Sequence, residues 1–241
     1  MQIKLTGDLM KGRPGRMNED DNEEGEDSIQ GNFLVPYRKK VVRSQMTFPL
    51  DEDIGPPAKY RNLILTCVEA EEGDQIRLII NSNGGNLDTC LSICDNLKET
   101  SADTFCIISG SCHSAASAIA LACQQVAVLP SSSMLIHNAR YATGGKAADI
   151  EAHVSFSKKQ LSRWIESTYK DFLSAVEIKD VIAGKELFLD SEEIVERLKA
   201  RQAIQEARHA ELQAEKEAEL KAVEEEIARR KAKPKAKKAK A

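Results

Sequence analysis

Between Gln75 and Ile136 short apolar runs alternate with helical patterns, and that rhythm leaves few architectures open to the chain. Ile76 to Ile80, Phe105 to Ile108, Val126 to Leu129 and Ser133 to Ile136 have the length and composition of buried strands. Leu87 to Glu99 carries Leu87, Leu91, Cys94 and Leu97 at helical spacing, with a Gly-Gly turn to cap its start, and residues 114–123 form a small-residue helix. Strands and helices in this alternation build a parallel sheet with crossover helices, so the fold class is α/β. Upstream, Met46-Thr47-Phe48 reads as a strand and Lys59 to Cys67 as a helix. Downstream, Asp149 to Leu173 is a long helical stretch without Pro or Gly. A short helix from residue 178, a break at Gly184 and a Leu187-Phe188-Leu189 strand follow. Asp190 then caps a further helix through the Glu192 or Glu193 amide.

Charge marks the ends of this region. The net charge is only −4, yet Glu19 to Asp27 is a dense acidic block and Arg229 to Lys240 is basic without one acid. Three parts are expected: a mobile acidic segment over 1–44, a folded domain over 45–199 with order beginning near Met46, and a charged helical and basic extension over 200–241. The extension is a solvated helix, weakly amphipathic through Leu220, Val223 and Ile227, and Pro234 interrupts a Lys-Ala repeat at its end. Its basic tail lacks interleaved aromatics, so only non-specific phosphate contact is open to it and nucleic acid is not an expected partner.

The six cysteines lie inside apolar stretches without paired zinc spacing, which suits buried free thiols in a reducing compartment and no metal or other cofactor. No secretory signal is visible and no stretch approaches the roughly 18 apolar residues of a membrane span. A cytoplasmic protein without membrane contact is expected.

Three segments carry chemistry. Asn81-Ser82-Asn83-Gly84-Gly85, Gly110 to Ser114 and Met134-Leu135-Ile136-His137 each follow or end an apolar run, so their polar residues collect at strand ends. A serine hydroxyl needs a base and donors facing the developing oxyanion before it can attack an acyl carbon. Ser114 starts a helix whose N-terminus is electropositive, Gly84-Gly85 offers backbone without side chains, and His137 supplies an imidazole. Taken singly, the serine reads as a cap, the glycines as a turn and the histidine as structural. His113 reads as structural and pointing away from the serine's side, while His153 and His209 sit on polar helical faces.

In their order and spacing these segments resemble the Clp protease proteolytic subunit family, with its Asn-Ser-Pro-Gly-Gly turn, Gly-x-x-x-Ser segment and Met-Ile-His strand. Gly145 to Glu151 is similar to that family's entry to a handle helix, and Phe188 to Glu193 to its Phe-Leu-Ser-x-x-Glu-Ala segment. The resemblance covers residues 45–199. It implies the repeated β-β-α spiral shared by Clp proteases and crotonases, with a protruding handle helix over 149–173. It also implies a serine endopeptidase with Ser114 as nucleophile, His137 as base and then acid, and the amides of Gly85 and Ala115 as oxyanion hole. The family's aspartate position holds Glu186, with Asp180 as the fallback third member. Asn83 replaces a proline, and His137-Asn138-Ala139 lacks the one that usually follows.

The resemblance further implies a homo-oligomeric ring enclosing a chamber for protein or peptide substrates. Phe156, Leu161, Trp164, Ile165 and Phe172 would be buried at the handle, against a partner subunit or against the chain's own sheet. No Gly-x-x-x-x-Gly-Lys phosphate loop is present, so a separate AAA+ ATPase would supply unfolding. The C-terminal extension is similar to additions on bacteriophage versions, which implies phage capsid or scaffold proteins as partners and the host cytoplasm or procapsid interior as location. Two other classes stay open: a crotonase-like acyl-CoA enzyme and a catalytically weak structural ring.

Overall fold

The computed structural model of the chain describes residues 43–140 and 142–232. It forms two compact units, one ending at Leu198 and the other beginning at Lys199. The expected mobile acidic segment, except for Arg43 and Ser44, and the Lys-Ala tail beyond Ala232 lie outside the described residues. Order is already present at Arg43, whose backbone N–H donates to Gly73 O at 3.0 Å and whose guanidinium pairs with Glu71.

In the first unit a six-stranded sheet runs in the order β1 (Gln45–Leu50), β2 (Gln75–Ser82), β3 (Asp103–His113), β5 (Ser133–Ile136), β6 (Leu187–Asp190). The remaining strand, β4 (Gln125–Val128), also pairs with β3. All pairings are parallel except the last, where Met134 faces Leu189 and Ile136 faces Leu187 in antiparallel register. The expectation of a parallel sheet is thus corrected at its edge. There a short helix, α5 (Ala175–Ile182), and a turn through Gly184 at φ 99° return the chain alongside β5.

Period-two alternation sets which face is buried. Ile76, Leu78 and Ile80 of β2 are fully buried, as are Thr104, Cys106 and Ile108 of β3, while the intervening Arg77, Ile79, Phe105 and Ile107 are only half-buried. The buried set shares one core with α1 (Arg61–Glu69), α2 (Leu87–Glu99) and α3 (Ala115–Ala122) through Leu63, Cys67, Ile93, Leu97 and Ile119. On the other face the Arg77 guanidinium stands 5.5 Å from the centre of the Phe105 ring. All six cysteines are buried free thiols. Residues of α3 are all buried, which its run of alanines permits. The cap of α2 is Asn86, whose side chain accepts from Thr89 N at 2.8 Å, and not the Gly-Gly turn, which has no side-chain acceptor to offer.

β3 runs on to His113, past the expected strand of Phe105 to Ile108. Its first part, Phe105 to Ile108, pairs with β4, and its last part, Ser111 to His113, pairs with β5. Between these parts the register against β2 slips, from Ile80 facing Ile108 to Ser82 facing Cys112. Gly110 sits in the slip, where an added Cβ would lie 2.4 Å from Asn81 Oδ1, and that same oxygen accepts from Ser111 N at 3.0 Å. The bend therefore depends on a side-chain acceptor at 81 and on no side chain at 110.

The long helix, α4, spans Ala147–Tyr169, and Asp171 at φ 65° ends it earlier than the expected Leu173. None of residues 147–160 is buried. Leu161, Ile165 and Phe172 are buried within their own chain, Trp164 is partly buried, and Phe156 is 62% exposed. The core of the chain thus accounts for three of the five large apolar groups without a partner subunit.

Asp190 caps the last helix, α6 (Ser191–Ala232), by accepting from Glu192 N at 3.0 Å and Glu193 N at 2.9 Å, as its sequence implies. Within the first unit, Arg197 of this helix donates to Glu177 at 2.7 and 3.1 Å, and Ser174 N donates to the same carboxylate at 2.8 Å. Arg197 first, then the Ser174 donors, hold the Glu177 carboxyl down at about 2, against desolvation. A depressed carboxyl contributes stability above its ordinary pKa and loses it as pH falls through the folded value. Between about pH 4.5 and 2, then, the urea midpoint of the wild type should fall more steeply than that of Glu177→Gln. The difference should be on the order of 1 kcal/mol after solvent screening. Parallel slopes would remove the pair from the acid limb. In the second unit Ile204, Leu212, Leu220, Val223 and Ile227 are exposed.

Candidate active site

The turn after β2 is held by its own residues. Ser82 Oγ donates to Glu52 O at 2.6 Å and accepts from Gly84 N at 3.1 Å. Ile54 N donates to Gly84 O, and Asn86 N to Ile54 O, each at 2.7 Å. These two bonds make a one-residue parallel bridge between Ile54 and Gly85. In such a bridge the N–H and C=O of Gly85 point to the opposite edge. Among the described residues they find no partner there, and Gly85 is exposed. A Cβ at Gly85 would stand 2.3 Å from Ile54 O, so the bridge requires glycine.

Ser114 joins β3 to α3 at φ 54° and ψ −123°, one of two described non-glycine residues with positive φ. Such a backbone costs about 1–3 kcal/mol and persists only where the surroundings fix it. They do so here. Ser114 N donates to Leu135 O at 2.7 Å, and Ser114 O accepts from Ser117 N at 3.0 Å and from Ser117 Oγ at 2.7 Å. Gly84 lies hard against this corner, for a Cβ on it would be 2.8 Å from Ser114 Cβ and 2.9 Å from Ala115 N. Although Ser114 occupies the N-cap position, its side chain makes no capping bond. The hydroxyl is therefore left for other use, and Ala115 N–H, the first of α3, opens at the electropositive helix end beside it.

His137 follows β5 and is half-buried, two residues beyond the carbonyl that holds Ser114 N. Continuing the antiparallel register past Ile136 and Leu187 sets Glu186 opposite His137. Among the described residues no hydrogen bond joins Ser114 Oγ, His137 and Glu186. Glu186 Oε1 instead stands 3.9 Å from an Arg140 guanidinium nitrogen, and Asp180 Oδ1 3.0 Å from Lys185 Nζ. Catalytic hydrogen bonds are often long without substrate and tighten on its arrival. His113, read from the sequence as structural, has a side-chain partner on β5. Its Nε2 lies 3.0 Å from Ser133 Oγ, and burial, then the charge of His137, push its pKa down. The pairing of His113 with Leu135 puts these side chains on one face. No group of three or more His, Cys, Asp or Glu able to hold a metal occurs among the described residues.

A free serine at a strained strand-to-helix corner, flanked by the backbone amides of Gly85 and Ala115 and by a histidine just past the end of β5, suits acyl transfer. The family model described as Clp protease matches residues 58–197. The chain belongs to the Clp protease family. No curated protein matches it. As a Clp protease family member it is a peptidase with the mixed α/β fold of that family. No helix among the described residues is long and apolar enough to cross a membrane.

Sequence reasoning missed Ile54, whose backbone bridges Gly85, because backbone partners leave no trace in side-chain type. It also missed Ser117 and Tyr169. Both are fully or nearly buried, and a serine and a tyrosine 52 residues apart give no spacing signal.

Proposed function

We propose that the chain is a serine endopeptidase. Ser114 Oγ attacks the scissile carbonyl, His137 takes its proton and later delivers it to the leaving amine, and Glu186 orients the imidazole and stabilises its cation. The oxyanion is received by the N–H groups of Gly85 and Ala115. The observation that carries this reading is the Ser114 corner, where positive φ and an unengaged hydroxyl meet open amides. The open edge of Gly85 accepts an extended peptide by strand addition, which selects unfolded segments of protein substrates.

The exposed Phe156 and the unburied residues 147–160 of α4 support assembly into a ring with its sites inside a chamber. A separate AAA+ ATPase would then feed it. The charged extension past residue 200 supports a role on phage capsid or scaffold proteins, in the host cytoplasm or a procapsid.

The test is labelling by a fluorophosphonate, which captures activated serines. Wild type should be labelled at Ser114 and Ser114→Ala not at all. A folded, assembled wild type that resists the probe would favour the catalytically weak ring. Thioester turnover that survives Ser114→Ala would favour a crotonase-like enzyme, whose chemistry needs only the amide donors.

A further inference from the structure

The carbonyl of Ser114 and the N–H of Ala115 are two ends of one planar peptide unit, so whatever grips the oxygen aims the hydrogen. That oxygen accepts from Ser117 Oγ at 2.7 Å and from Ser117 N at 3.0 Å. Ser117 Oγ lies in turn 2.7 Å from Tyr169 OH, at the end of α4. A carbonyl can only accept, so the single Ser117 proton is committed to Ser114 O, and the proton between the two hydroxyls must come from tyrosine. The order is therefore fixed as Tyr169 O–H to Ser117 O–H to Ser114 C=O. Ser117 is fully buried and Tyr169 is 2% exposed, so water does not compete at either position. Burial also raises the tyrosine pKa, which keeps the chain's first proton in place.

Resting on the peptidase reading of Ser114, we infer that Ser117 and Tyr169 are positioning residues for the oxyanion donor at Ala115. Two effects follow from the geometry. The relay fixes the plane of the 114–115 peptide against the strain stored at φ 54°, and donors on its oxygen polarise the unit and strengthen its N–H as a donor. Neither residue touches substrate. Their contribution acts where charge develops, so it belongs to the transition state and not to ground-state binding.

Tyr169→Phe removes one oxygen and keeps the ring in the core. Its kcat on a fluorogenic peptide should fall about tenfold with KM unchanged, below the 10²–10³-fold expected for loss of a whole donor. Affinity for a peptide boronate, whose tetrahedral adduct mimics the oxyanion, should fall by a similar factor while affinity for the product peptide stays level. Ser117→Ala should lose at least as much, Ser117→Thr should restore part of it, and the double variant should fall no further than Ser117→Ala, because one relay is broken once. Thermal unfolding of each variant separates folding from function. Lower melting temperatures with unchanged kcat and boronate affinity would overturn the relay and leave the peptidase reading standing. No turnover and no fluorophosphonate capture in the wild type would overturn both.

Discussion

Glu186→Gln should lower kcat for peptide hydrolysis by about 10³–10⁴-fold with little change in KM, while Asp180→Asn stays within about twofold. The amide keeps the shape of the carboxylate and loses its charge, so the imidazolium formed when His137 takes the serine proton has nothing to stabilise it. Register favours Glu186, since it faces His137 one step past the Ile136 and Leu187 pair. Asp180, on α5, is already paired at 3.0 Å with Lys185, which lies past the end of that helix. Steady-state kinetics of the two variants beside the wild type decide between them. A large loss in Asp180→Asn with a neutral Glu186→Gln would reverse the assignment. The loose approach of Arg140 to Glu186, at 3.9 Å and well exposed, is too weak to keep the carboxylate from the imidazole.

Gly84→Ala should cost about 2–4 kcal/mol of stability and remove nearly all peptidase activity, and the two effects have one cause. At φ 93° a side chain is strained before any neighbour is considered. The new Cβ would then meet His113 O at 2.6 Å, Ser114 Cβ at 2.8 Å and Ala115 N at 2.9 Å, two of them backbone atoms that cannot swing aside. Relief requires the turn to move away from Ser114, which parts the amides of Gly85 and Ala115 from each other. Chemical unfolding and peptide turnover of the purified variant test this together. A variant that turns over normally would mean that the turn is softer than its contacts indicate. Gly144→Ala, where an added Cβ meets nothing within 4 Å, is the matched control.

Much of this arrangement was legible in the sequence, and the reasons are local. Ile76, Leu78 and Ile80 alternate with half-buried neighbours, so pattern and burial coincide. The small residues of α3 read as a helix, and their size lets the whole of it be buried. Asn81 to Gly85, Ser114 and His137 were recognisable as a set because each stands where an apolar run stops. The antiparallel turn of β6 was not legible, since strand direction depends on how α5 returns the chain and not on the four residues of the strand. Nor was the extension of β3 to His113, because Ser109-Gly110-Ser111 reads as loop until Asn81 satisfies its backbone from the neighbouring strand. The contact of His113 with Ser133 was not legible either, since it comes from pairing with β5, which the sequence does not encode locally.

The forked strand has a consequence for how the site can come apart. The proposed nucleophile follows β3, which pairs with β2 along most of its length and with β4 from Phe105 to Ile108, whereas the proposed base follows β5, which pairs with β3 at Ser111, Cys112 and His113 and is held further by Ser114 N donating to Leu135 O at 2.7 Å. Slippage of β5 against β3 would therefore part the proposed base from the proposed nucleophile while the pairing of β3 with β2 and β4 stays whole.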